Sequence, residues 1–173
     1  MATLLAALTL ALVGCSDDDP EPEADPTPST STSTSVTPTP EPTEPAAPLD
    51  PEATVKAWVA ARNQALSRGD VTEVRRLSSP ECSSCADLID PIAETHANGG
   101  RYETAGWRVL RARVTDHAPD AAEVTAALVF AGGTTYLSAT ADPVVYEAER
   151  RITIFELTKS SGGWAVSLIG FVR

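Results

Sequence analysis

This chain of 173 residues is poor in the side chains that most recognisable chemistry needs: two histidines, three cysteines, one methionine and an aromatic content of 5%. It has no Gly-x-Ser-x-Gly elbow, Ser-x-x-Lys, His-Glu-x-x-His, phosphate-binding glycine loop or dinucleotide fingerprint. Hydrolase, metalloprotease and nucleotide-dependent mechanisms that carry short signatures are therefore unsupported. Neither a second cysteine pair nor a histidine pair at zinc spacing is present, and no cofactor or metal is expected. Long apolar runs are also missing. The best one, within the first 13 residues, reaches only about 20 Å as a helix, short of the roughly 30 Å of a hydrocarbon core. Finally, residues 16–49 contain no lysine or arginine at all.

What is present begins with that apolar run. Leu4 to Val13 is nearly unbroken Leu, Ala and Val, the length of a signal-peptide core. It carries no basic residue ahead of it, as export signals normally do, so the expected initiation site lies upstream of Met1. The run closes on Leu12-Val13-Gly14-Cys15, followed by Ser16 and three aspartates. This ending resembles the lipobox of bacterial lipoproteins. The resemblance implies a signal peptide over residues 1–14, diacylglycerol on the Cys15 thiol, and a mature protein held by lipid on the extracytoplasmic face of the cell membrane.

Eight acidic residues fall within residues 16–49 (Asp17, Asp18, Asp19, Glu21, Glu23, Asp25, Glu41 and Glu44). Of the total of 24 acidic and 13 basic side chains, 16 acidic and all 13 basic ones then remain from Asp50 onward, a net of −3 out of −11. Residues 15–49 are otherwise mostly Pro, Thr and Ser, too apolar-poor to offset ordering entropy, and read as a disordered acidic tether. Such a chain spans about 30 Å as a coil and toward 100 Å if stiffened by proline. Its charge is repelled by anionic headgroups, which keeps the C-terminal part of the chain off the membrane.

Residues 50–173 suffice for one compact domain. Asp50-Pro51-Glu52 opens a helix with a capping carboxylate and a first-turn proline. Val55, Trp58, Val59, Ala65 and Leu66 share one face of it, and Gly69 is placed to end it. Asp70 and Glu73 form a capping-box-like pair for a short helix reaching Leu77. A third helix starts near Cys82, buries Cys85, Leu88, Ile89 and Ile92, bends at Pro91 and ends at Asn98-Gly99-Gly100. Beyond Gly100 the period becomes alternating. Strands are expected over 107–115, 122–130, 144–158 and 164–169, with Ser160-Ser161-Gly162-Gly163 as a turn. Helices first and antiparallel strands after give an α+β domain.

The long first helix closed by Gly69-Asp70, the short helix after it, and the hairpin from Phe155-Glu156-Leu157 to Trp164-Ala165-Val166 resemble the nuclear-transport-factor-two-like (NTF2-like) cone. That likeness implies N-terminal helices packed into a strongly curved antiparallel sheet. Together with the lipobox, the Thr/Pro tether, Cys82-Ser83-Ser84-Cys85, Gly99-Gly100 and Trp107, the chain also resembles an uncharacterised family of actinobacterial lipoproteins. This second resemblance implies a location and a fold but no activity.

With Cys15 assigned to lipid, Cys82 and Cys85 are an even pair in an oxidising compartment. A local disulfide fixing the third helix is the favoured reading, worth about 2 kcal/mol by loop entropy. A redox role is the alternative, although the pair follows a helix rather than the buried strand of thioredoxin-like motifs. A metal role lacks two ligands. Enzymes with the cone fold place a His and an acid in the cavity, so His96, near Asp90 and Glu94, is the residue a dehydratase or isomerase would use. A cation at a helix C-terminus also has a purely structural rationale. Trp107 and the other aromatic residues are expected in the core, or lining a cavity for a small apolar molecule. Arg111 and Arg113 share a strand face, with Arg108 opposite. A domain net of −3 argues against nucleic acid. The resulting expectation is a non-catalytic envelope module that binds a small apolar ligand or an envelope protein.

Overall fold

Residues 48–172 are described by a computed structural model; the leader, Cys15 and the tether up to residue 47 lie outside the described residues. Helix α1 (Pro51–Arg68) begins where its sequence says it should. The Asp50 carboxylate accepts from the Ala53 N–H at 2.7 Å, satisfying one orphan donor of the first turn. Gly69 closes the helix at φ 76°, donating to the Ala65 carbonyl. Val55, Trp58, Val59, Ala65 and Leu66 are buried along one stripe.

Helix α2 (Thr72–Arg76) departs from expectation at its start. Val71, not Asp70, is its cap residue, and it makes no side-chain cap bond. Asp70 instead accepts from the Thr72 N–H at 2.9 Å, an Asx-type turn, and Glu73 is taken by Arg76 at 2.6 Å rather than reaching backward. The i,i+3 pairing outcompetes the capping box because a guanidinium fork offers two charge-assisted bonds to one carboxylate. Helix α3 (Ser83–Ala97) runs on through Pro91 and buries Cys85, Ile89, Ile92 and Thr95. No helix among the described residues is long and apolar enough to cross a membrane.

Seven strands complete the domain: β1 (Arg101–Thr104), β2 (Trp107–His117), β3 (Ala121–Phe130), β4 (Gly133–Tyr136), β5 (Val144–Tyr146), β6 (Glu149–Ser160) and β7 (Gly163–Phe171). β2-β3-β6-β7 form one antiparallel sheet, and β1-β4-β5 a smaller one. The stretch expected as one strand over 144–158 is thus split between the two sheets. On β3, Ala122, Val124, Ala126 and Leu128 face the helices, as their alternation predicts.

On β2 the alternation breaks. Leu110 is an extra residue between the pairs Val109↔Leu128 and Arg111↔Ala127. This bulge reverses the side-chain phase, so Arg108, Arg111 and Arg113 oppose Val129, Ala127 and Thr125 on one outer face. The expectation that Arg108 points the other way is therefore corrected. Further bulges at Val114/Asp116 and Glu156/Leu157 add to the curvature of the sheet around the helices.

The core lies between α1, α3 and the concave face of the larger sheet. Trp58, Ile89, Ile92, Val124, Leu128, Phe155, Leu157 and Val166 are essentially inaccessible, each contributing about 1.5–3 kcal/mol by burial for side chains of this size. Trp58 is also hydrogen-bonded: its Nε1 donates to the Ser78 hydroxyl at 2.9 Å, which in turn donates to the Val74 carbonyl. The Ser78 loop is itself stitched to β7, Ser79 N–H donating to Val166 O and Val166 N–H to Leu77 O.

Candidate functional site: a pocket at the mouth of the cone

Asn63 sets the geometry of the site. Its amide donates to the Trp107 carbonyl at 2.7 Å and accepts from the Trp107 N–H at 2.8 Å, clamping the first residue of β2 against α1. Gly106, at φ 73°, lets the chain pass so close that any Cβ there would run into the Asn63 amide. Trp107 is held by this clamp with its ring stacked on Phe130, centroids 4.4 Å apart and planes within 7°. Phe171 meets both rings edge-on.

Immediately before Asn63 on α1, Arg62 lies with its guanidinium carbon 4.0 Å from the centre of the Trp107 ring. Its Nε and Nη1 are buried and have no hydrogen-bond partner among the described residues. Burial brings the group down from its ordinary range to about 10, against an opposing pull from Tyr102, so it remains cationic at neutral pH. A cavity of ≈ 260 Å³ opens here, lined by Arg62 and Leu66 of α1, Tyr102 and Thr104 of β1, Trp107, Phe130, Thr134 and Thr135 of β4, and Tyr146 of β5. Glu147 and Glu149 complete it. Glu149 is paired with Arg151 at 2.9 Å. The smaller sheet, which supplies five of these residues (Tyr102, Thr104, Thr134, Thr135 and Tyr146), is thus the outer wall of the pocket.

A second depression, ≈ 480 Å³ and more open, runs between α1 and the free edge of β2, lined by Lys56, Ala60 and residues 107–112. It holds no buried charge, and we take the cone mouth as the site with chemistry in it.

Trp107, expected at a cavity, lines this pocket. His96 lies elsewhere: its Nε2 is 3.0 Å from the Leu66 carbonyl, and its ring packs beside Gly69 and 5.9 Å from Tyr102, joining the ends of α1 and α3. The structure does not bring it together with Trp107 at the cavity. Cys82 and Cys85 are bonded to each other at the start of α3, both buried, with Cα atoms 5.2 Å apart. The Cys82 sulfur accepts from the Cys85 N–H, and the adjacent Ser84 hydroxyl accepts from Ile169 N–H at 2.8 Å, so this turn is tied to β7 and not to the pocket. Among the described residues no group of three His, Cys, Asp or Glu side chains is placed to hold a metal ion.

Arg62 and Asn63 were not singled out from the sequence. A signal for Arg62 existed: it falls four residues after Trp58 and four before Leu66, on the apolar stripe of α1, where a solvated arginine has no reason to be. Asn63 had none, because its partner is 44 residues away.

No family model and no curated protein matches the chain. Solved structures do. The intermembrane space region of the chloroplast protein ARC6 superposes with a TM-score of 0.54 at 17% identity, over 70% of this chain and 93% of that one. The likeness is one of fold. A ketosteroid isomerase-like protein from Erwinia carotovora atroseptica SCRI1043 gives 0.44 at 17% identity, covering 70% of this chain and 96% of its own. An NTF2-like protein from Rhodospirillum rubrum ATCC 11170 gives 0.46 at 12%, covering 69% and 98%. Helices packed in the hollow of a curved antiparallel sheet are the α+β cone arrangement expected from the sequence.

Proposed function

We propose that this protein is a lipid-anchored ligand-binding module of the cell envelope, non-catalytic, with the cone mouth as its binding site. The observation that carries the binding half is the partly apolar cavity walled by Trp107, Phe130, Tyr102 and Tyr146, with no nucleophile–base pair among its lining residues. The lipobox-like ending at Cys15 and the acidic Pro/Thr/Ser stretch support the anchoring half. They lie outside the described residues, and the anchor is tested by itself: Cys15→Ala should release the protein from membranes or block its maturation, and unchanged membrane association would refute it.

An isomerase- or dehydratase-type reaction through His96 has less to support it, since the imidazole is engaged with the Leu66 carbonyl at the α1–α3 junction. A thiol-redox role for Cys82 and Cys85 needs an accessible sulfur, and both residues are buried. The deciding experiment for binding is native mass spectrometry of the full chain, exported through an oxidising compartment and purified gently. A reproducible added mass, lost when Trp107 is replaced by alanine, establishes a pocket ligand. A bare mass under every condition leaves an envelope protein as the partner to be sought.

A further inference from the structure

We propose that the cone-mouth pocket takes a small aromatic monocarboxylate, its carboxylate bound by Arg62 and its ring laid among Trp107, Phe130 and Tyr102. This rests on the ligand-binding reading above and adds the chemical class of the ligand. The argument starts from Arg62. A guanidinium carries five N–H donors in a fixed fork, and here Nε and Nη1 are buried with nothing to donate to among the described residues. Folding a chain around an unanswered cation is costly, and such groups in native proteins are normally paired or waiting for a partner. The Trp107 face at 4.0 Å compensates part of the charge but accepts none of the N–H bonds.

Neither acid of the pocket answers it. Glu149 is engaged by Arg151, and Glu147 is exposed at the rim. An anion entering the cavity that Arg62 lines supplies the missing counter-charge, at the part of the guanidinium outside the enclosed Nε and Nη1. Its charge is limited by Glu147 at the rim, whose carboxylate disfavours a dianion such as phosphate, while one buried cation balances one negative charge. Its size is limited by ≈ 260 Å³, just below the roughly 300–1,000 Å³ typical of ligand pockets. Its body is set by the aromatic rings of the wall, which favour a flat apolar group. A planar carboxylate is the anion a planar guanidinium pairs with, here at the part of Arg62 that faces the cavity, Nε and Nη1 being enclosed.

The test is calorimetric titration of the full chain with benzoate and indole-3-acetate, each compared with its neutral amide, and with inorganic phosphate as a competitor. The acid that binds should do so about 10- to 100-fold more tightly than its amide, the range of a charge-assisted bond. Arg62→Leu should bring acid and amide to equal affinity while the chain still unfolds in one cooperative thermal transition. The comparison of acid with amide on the unaltered protein needs no variant, so a misfolded Arg62→Leu would not blunt it. Equal affinity of acid and amide for the unaltered protein overturns the carboxylate assignment but leaves a pocket that binds apolar rings. Failure of both acids to bind at millimolar concentration also overturns it, and the native-mass experiment then decides separately whether the binding reading survives. Phosphate competing as well as the acids would make this a general anion site and refute the class proposed here.

Discussion

Trp58 and Trp107 sit with ring centroids 6.1 Å apart in one cone, yet they belong to two different kinds of interior. Around Trp58 every demand is met. The ring is inaccessible, its N–H is hydrogen-bonded, Phe155 packs edge-on at 6.0 Å, and the loop that supplies Ser78 is stitched to β7. Around Trp107 the packing is aromatic but incomplete: a cavity opens, a cation lacks partners among the described residues, and the neighbouring rings of Phe171 and Tyr146 reach solvent. The closed end is built for stability, and the open end gives some of it up. Natural proteins make that concession where a ligand completes the packing.

Breaking the closed end should cost most. Trp58→Ala should lower unfolding stability by about 3–5 kcal/mol, measured by denaturant titration, because it removes a buried indole and the donor to the Ser78 hydroxyl. A loss below about 1 kcal/mol would mean the two ends do not differ as described. Replacing Cys82 and Cys85 together by serine should cost about 2 kcal/mol, the small entropy of a four-residue ring, and should leave ligand binding unchanged because the pair faces β7. At the open end the sign reverses. Arg62→Leu should raise the stability of the ligand-free chain by about 1 kcal/mol, since removing a buried unpaired charge outweighs the lost contact with Trp107. A drop in melting temperature would show that Arg62 is a structural group after all.

Thr153 tests whether unmet demand is confined to the mouth. Its hydroxyl is buried without a partner among the described residues, beside Phe171 and Ala126, and Thr153→Val should gain about 1 kcal/mol. The smallest effect is expected with pH. The Thr72 backbone N–H, the Arg76 guanidinium and the Ser79 hydroxyl hold the carboxyls of Asp70, Glu73 and Glu81, respectively, below the ordinary range. Groups depressed in the folded state stabilise above their unfolded values, near 3.9–4.3, and lose that contribution as pH falls through the folded ones. The denaturation midpoint should therefore be flat from about pH 5 to 8 and fall modestly below about 4, since all three groups are exposed and screened.

The features legible in the sequence are those governed by chemistry within one turn of chain. Asp50, Pro51 and Gly69 bracket α1 because caps and left-handed ends are local, and the alternation of β3 shows because one whole face meets the helices. Illegible features depend on a distant partner. The phase reversal at Leu110 exists only relative to β3, and nothing in Val-Leu-Arg announces it. β1 and β4 are four residues each, Arg-Tyr-Glu-Thr and Gly-Thr-Thr-Tyr, too short and polar to alternate, yet they make the pocket wall. His96 drew attention as the residue type catalysis favours, whereas its place was decided by where the ends of α1 and α3 meet. Arg62 was overlooked for the opposite reason, as a charge assumed to be solvated.

The Asn63 clamp has one more effect. β2 is the outermost strand of the larger sheet, and an unpaired edge is an invitation to add another strand and to aggregate. Asn63 occupies both backbone groups of Trp107 at one end of that edge, Glu52 accepts from the Val114 N–H further along it, and the Leu110 bulge breaks the ladder between them. Helix α1 thus closes the sheet laterally, so that copies of this domain at high concentration would not polymerise through β2.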